Sequence, residues 1–237
     1  MDSSRYSPCA ACEVRDRAVC GVLQPNELEH LNSIVTEVWL NPGQILFYQE
    51  DPADSVFNVT RGHIRLLKLL ADGRRQVTGF LYPGDFLGLA YGPDYAYTAE
   101  AIDKVTLCRF PREKFKAFFE EFPQLEKRLL QIASNELVAA QDQMVLLGRK
   151  LAVEKVATFL INLSRHAERR GEGGTELHLP MTRADIGDYL GLSVETTSRT
   201  FTQLAKDKVI EIPTPPRIVL RQKDLLEEIA EGKGEPW

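Results

Sequence analysis

The run from Pro123 to Leu147 constrains this chain more than any other stretch. It opens on proline, which a first helical turn tolerates. About twenty-five residues then pass without another Pro or a Gly, well beyond the length of an ordinary helix. Leu130, Ala133, Leu137, Ala140, Met144 and Leu147 recur at 3–4 spacing, the signature of an amphipathic helix. A second row, Ser134, Val138, Gln141 and Val145, has the same spacing but is only half apolar. One firm and one weak seam let a helix pack on its own domain and also meet a partner helix. The weak row is therefore the candidate dimer interface. Before the helix lies a cysteine-bearing, Gly-punctuated β segment, and after it a helix-turn-helix pattern.

The β segment begins with C-x2-C-x7-C, formed by Cys9, Cys12 and Cys20. Pro8, Ala10 and Ala11 leave the backbone free to wrap around a centre. Two cysteines three apart can aim at one point, and a third can close the cage. Sulfur-only sites hold zinc or iron–sulfur clusters, and both want four thiolates. The other cysteine is Cys108, within the strand-like VTLCRF. A structural zinc site usually brings a second close pair of ligands; here the fourth cysteine stands alone, which favours an iron–sulfur cluster. Zinc and a thiol switch remain the alternatives.

Pro25 opens a short helix carrying Leu28, Leu31, Ile34 and Val35. From Leu40 to Phe110, turn signals recur about every ten residues: Pro42-Gly43, Arg61-Gly62, Asp72-Gly73, Pro83-Gly84 and Gly92-Pro93. The pattern predicts a β-sandwich or jelly roll of roughly eight strands, with its clearest hairpin at Asp72-Gly73. A short helix over 111–122 leads into the long one, and Gly148 marks the expected hinge out of it. Helical spacing returns over 151–166, and 177–180 reads as extended.

Residues 181–212 carry the second strong signal. Thr182 with Asp185 forms a capping box. Ile186, Tyr189 and Leu190 make a short helix, Gly191-Leu192-Ser193 a turn, and Ser193 caps a second helix with Phe201 and Leu204 facing inward. That is a helix-turn-helix, whose second helix offers its leading residues to base edges. Here these are Glu195, Thr196, Ser198 and Arg199. Arginine can bond guanine, glutamate can accept from cytosine, and Ser or Thr can serve either. Ser193 and Thr182, the two caps, are counted with the DNA-binding residues. A β-wing is expected from 209–212 and 218–220.

Net charge is −5, an unpromising sum for a nucleic-acid partner. Yet residues 149–217 carry 11 basic and 9 acidic side chains, against 15 and 20 in residues 1–148. The one net-positive segment is the one with the helix-turn-helix, a modest electrostatic footprint on DNA. No apolar run approaches the ~20 residues of a membrane helix. MDSSRYSPCAAC lacks an apolar leader core, so a cytoplasmic, membrane-free location is expected. Four histidines, no nucleophile–base constellation and no phosphate-cradling loop argue against an enzyme.

Over nearly its whole length the chain resembles the CRP/FNR superfamily of transcription regulators. Within it, the chain resembles the FNR branch of oxygen-responsive iron–sulfur regulators, FnrN/FixK-like members included. MTRADIGDYLGLSVETTSR resembles that branch's helix-turn-helix, and AAQDQMVLLGRK with EKVATFLINLSR its dimer helix and the helix beyond. The resemblance implies an α+β fold. An N-terminal β-roll sensor domain (23–122) follows a cysteine segment (1–22), then come a dimerisation helix (123–148) and a winged helix-turn-helix domain (149–237). It implies a [4Fe-4S] cluster on Cys9, Cys12, Cys20 and Cys108. Glu195, Ser198 and Arg199 would read a palindromic, TTGAT-type operator in double-stranded DNA. The implied partners are a second copy, making a homodimer, and RNA polymerase. Cyclic-nucleotide-binding relatives place an Arg-Ser pair where this chain has Tyr95-Ala96-Tyr97-Thr98. Without that arginine a buried phosphate lacks its charge partner, so no cyclic nucleotide is expected. The competing reading is a redox or metal-binding protein whose helical domain meets a protein partner.

Overall fold

The computed structural model describes residues 9, 12–89 and 92–233 of the 237-residue chain. Pro8, Ala10 and Ala11 lie outside the described residues. The chain divides into two compact units, Met1–Leu137 and Val138–Trp237.

The first unit holds α1 (Pro25–Asn32), then β1 (Thr36–Leu40), β2 (Ile45–Phe47), β3 (Ser55–Arg61) and β4 (Ile64–Leu69). These are followed by β5 (Arg75–Leu81), β6 (Phe86–Leu87), β7 (Thr98–Ala101), β8 (Val105–Pro111) and α2 (Arg112–Glu121). The long helix α3 (Pro123–Arg149) begins here. The strands form two antiparallel four-stranded sheets, ordered β1-β8-β3-β6 and β2-β7-β4-β5. The expected hairpin at Asp72-Gly73 joins β4 to β5, with Leu70 N–H donating to Arg74 O at 2.8 Å.

Alternation sorts the first sheet's side chains. Phe57, Val59, Val105 and Leu107 point between the sheets and pack with Phe47, Ile64, Leu81 and Ala99. Val56 and Phe110 point outward into a second cluster with Cys20, Leu23, Leu28, Leu31, Phe115 and Leu125. β3 is thus buried on both faces, which explains why it reads as a continuous run and not as a clean alternation. Each aliphatic or Phe side chain fully buried this way contributes about 1.5–3 kcal/mol. α1 stops at Asn32, short of the expected Ile34 and Val35, because Thr36 is claimed by β1.

The seams of α3 differ from expectation. The side chains that pack on the first unit are Leu125, Leu129 and Ile132. The row read as firm and inward is solvent-facing: Leu130 is 66% exposed, Leu137 61% and Met144 71%. Val138 and Val145 of the weaker row are also exposed, as are Ser134 and Gln141. The two rows form one broad apolar stripe, whose spacing specified helix but not what it faces. Gly148 is no hinge. The helix runs through it to Arg149, and the break comes at Leu151, whose extended backbone caps the next helix.

The second unit holds residues 138–149 of α3, then α4 (Ala152–Arg169), β9 (Glu176–His178), α5 (Arg183–Leu190) and α6 (Val194–Lys206). β10 (Ile210–Glu211), β11 (Arg217–Leu220) and α7 (Lys223–Ala230) complete it. α4 is the core element, with Val156, Phe159, Leu160, Leu163 and Ala167 buried. The wing gains a third strand, because β9 pairs with β11 in the order β10-β11-β9. α7, not anticipated from the sequence, packs on α4 through a short apolar face containing Leu226, Ile229 and Ala230.

Candidate functional site

Two sites follow from this framework, one in each unit. In the first, residues 12–23 cover the outer face of the sheet β1-β8-β3-β6. Val19–Val22 form a 3-10 turn that buries Val19 and Cys20. On β8, Leu107 points between the sheets, so Cys108 must point out, toward the covering segment. All four cysteines therefore line one cavity of about 500 Å³, together with Asn32, Glu37, Asn58, Thr106 and Phe110. All four are free thiols.

Electrostatics in this cavity oppose four bare thiolates. Burial pushes the Cys20 and Cys108 thiols up to about 12, and the other cysteines push in the same direction. Cys9 is raised as well, first by burial and then by Cys12. A cationic centre would reverse this, because it stabilises the charge that burial penalises. Among the described residues, no three His, Cys, Asp or Glu side chains are grouped tightly enough to hold one metal ion. Tetrahedral zinc needs all its sulfurs about 2.3 Å from a single point. A four-iron cluster is wider and takes one thiolate at each corner. Four sulfurs around one cavity are the donor set that a four-iron cluster takes.

In the second unit, Thr182 caps α5: its hydroxyl accepts from Asp185 N–H at 3.1 Å and donates to Asp185 Oδ2 at 2.7 Å. Gly191 ends α5 in the left-handed region at φ 63°, which is why glycine stands there. Ser193 Oγ then accepts from Thr196 N–H at 3.0 Å and starts α6. Thr197, Phe201 and Leu204 bury the inner face. That leaves Glu195 and Arg199 outward, forming an i,i+4 ion pair with both side chains more than 70% exposed. Thr196 and Ser198 are half-buried beside them. The four residues predicted to meet base edges thus share the leading turns of one helix. Ser193 and Thr182 are engaged first as caps. The end of α3 packs on the same motif, with Leu146 buried and Gln143 Nε2 donating to Tyr189 O at 2.8 Å.

Residues 37–122 match the cyclic nucleotide-binding domain, and residues 154–229 match the Crp-like helix-turn-helix domain. The chain is 48% identical to the transcriptional activatory protein AadR of Rhodopseudomonas palustris, over 85% of this chain and 84% of that one. It is 44% identical to the nitrogen fixation regulation protein FixK of Bradyrhizobium diazoefficiens, over 86% of each. The chain belongs to the CRP/FNR family of transcription regulators. Among solved structures, FixK2 from Bradyrhizobium japonicum is 37% identical and superposes with a TM-score of 0.78, covering 83% of this chain and 97% of that one. As a CRP/FNR-family chain it is a DNA-binding transcription regulator. Among the described residues no helix is long and apolar enough to cross a membrane.

In this CRP/FNR-family member the interior of the β-sandwich is packed with aromatics. Tyr95 stacks on Phe47 at a centroid distance of 3.7 Å, and its hydroxyl donates to Ser55 O at 2.7 Å. The Tyr97 hydroxyl accepts from Gly88 N–H at 3.2 Å. Two residues of the cysteine cavity, Asn58 and Asn32, escaped sequence reasoning. The available signal was an asparagine inside the apolar run SVFNV, but only the strand register says which way it faces.

Proposed function

We propose that this chain is an oxygen-responsive transcriptional activator of the cytoplasm that binds a palindromic, TTGAT-type site as a homodimer. In this reading Cys9, Cys12, Cys20 and Cys108 hold a [4Fe-4S] cluster. The observation that carries it is the cavity: cysteines from two distant parts of the chain line one partly open space. When bound, a cluster supplies a redox-active centre whose state oxygen can change. The remaining steps belong to the protein. Cys9, Cys12 and Cys20 tie the covering segment to Cys108 on β8. That segment is packed against the start of α3, since Leu125 shares its apolar cluster. Arg128 Nη2 also donates to Arg17 O at 3.1 Å. Releasing the segment repacks the first turns of α3 and so alters the exposed stripe that a second copy would cover. The relatives named activators support activation here, which in turn requires contact with RNA polymerase. The aromatic filling around Tyr95 and Tyr97 supports a sensor that takes no cyclic nucleotide.

Protein purified without air is expected to carry iron and visible absorbance and to bind the operator. Cys20→Ala and Cys108→Ala are each expected to lose all three. An air-free preparation that is colourless, iron-poor and still tightly bound to the operator would overturn the sensing half of the proposal.

A further inference from the structure

Sulfur does not account for the whole lining of the cysteine cavity. Asn58 stands directly opposite Cys108 in the β3–β8 register, and opposed residues of an antiparallel pair share a face. Val56, two residues earlier on that face, lies in the cluster with Cys20; Phe57 and Val59 point the other way, between the sheets. Asn58 is 2% exposed and lines the cavity with all four cysteines. Its Oδ1 has no hydrogen-bond partner among the described residues, and its Nδ2 makes one long contact, 3.4 Å, to Val59 O. Asn32 Oδ1 lines the same cavity and is also buried without a partner. So is Nε of Arg15, whose positive charge acts on Cys9 and Cys20.

Buried polar atoms without partners are rare, and each calls for an explanation such as a group that completes it. Here two of them line the cavity with those sulfurs, and the third lies in the segment that covers it. A primary amide turned by half a revolution exchanges its oxygen for its N–H donors at almost no change in shape, giving up here only the long 3.4 Å contact to Val59 O. Thiolate and sulfide accept such donors. Hydrogen bonds to the sulfurs of an iron–sulfur centre help set its reduction potential, because they stabilise the more negative state. We propose that Asn58 is a positioning residue that sets this potential, donating its amide N–H to sulfur of the centre held beside Cys108. The proposal rests on the cluster reading above.

The test is an optical redox titration of the full chain, loaded and handled without air. Asn58→Leu keeps the volume and removes the donors, and it is expected to load iron normally and to show a more negative midpoint than wild type. The unloaded Asn58→Leu protein is expected to melt at or above the wild-type temperature, since a buried orphan has gone; a purely structural asparagine would instead lower it. Asn58→Ala, which leaves space in place of bulk, is expected to shift the midpoint the same way. An unchanged midpoint in a loaded variant overturns the proposal alone. Loss of iron from Asn58→Leu, with Asn58→Ala loaded at the wild-type midpoint, assigns the loss to bulk and also overturns it. A wild-type chain that takes up no iron overturns the cluster reading, and this proposal with it.

Discussion

Arg199 is free to change partners. Its ion pair with Glu195 lies on the exposed side of α6, and exposed pairs of this kind contribute only about 0–1 kcal/mol. A bidentate contact to a guanine edge contributes about 1–3 kcal/mol of discrimination, so a guanine contact by Arg199 would outweigh the pair. Until then Glu195 holds the guanidinium over the leading turns of the helix. Arg199→Ala is therefore expected to weaken operator binding by about 1–3 kcal/mol and to relax the preference at one base position. Competition binding with single-base operator variants reads both effects. An equal loss on every sequence would make Arg199 a phosphate contact instead. At this scale the sequence was informative about chemistry and poor about direction. The spacing of Cys9, Cys12 and Cys20 pointed to a ligand set, and Ser193 pointed to a cap. Asn58 stayed hidden because nothing local says that it stands opposite Cys108.

Helices report their existence in sequence more clearly than their surroundings. The 3–4 spacing of α3 was legible, but a stripe facing solvent and one facing a core have the same period. The exposed stripe now sharpens the expectation for a partner. Val138 is 56% exposed, so a charge there reaches solvent with little loss of packing within the chain. In a twofold interface that charge would be buried twice. Val138→Glu is expected to leave the thermal unfolding of each unit unchanged and to abolish dimerisation at micromolar concentration, as read by sedimentation. A Val138→Glu dimer would move the interface elsewhere. Two glycines test local packing in opposite directions. A Cβ on Gly187 in α5 would stand 2.8 Å from Leu192 O and 3.2 Å from Thr197 Oγ1. The Leu192 backbone cannot easily retreat, because its N–H donates to Gly187 O at 2.9 Å. Overpacking of about 1–3 kcal/mol then outweighs alanine's helix preference of about 0.5–1 kcal/mol. Gly187→Ala should destabilise the second unit. Gly148 lies inside α3 with nothing within 4 Å of such a Cβ. Gly148→Ala should stabilise by about 0.5–1 kcal/mol, and a denaturant titration of both variants reads the two opposite shifts. The helix-turn-helix was legible because caps and turn are local. α7 was not, because Leu225, Leu226, Ile229 and Ala230 repeat over barely two turns, too short a run to read.

At the scale of the whole molecule, charge and symmetry decide how DNA is read. The chain carries −5 overall, and its positive excess is confined to the segment with the helix-turn-helix. One such segment offers few phosphate contacts, and the acidic remainder suppresses retention on arbitrary DNA. In the proposed dimer, tight binding would come from two recognition helices held together, where the second engagement is intramolecular and multiplies affinity by about 10²–10⁴. This gain survives only if both half-sites lie on the same face of the duplex, about one helical turn apart. Inserting about five base pairs, half a turn, between the half-sites turns the second to the far side. The air-free protein is expected to bind the spaced operator about 100-fold or more weakly, close to its affinity for a single half-site. Inserting about ten base pairs restores the face but not the distance, and is expected to restore little if the dimer is rigid. Val138→Glu, already without the dimer's gain, should bind the original and spaced operators alike. If the wild type also fails to distinguish them, the two copies read DNA independently, and control through their pairing has no physical basis.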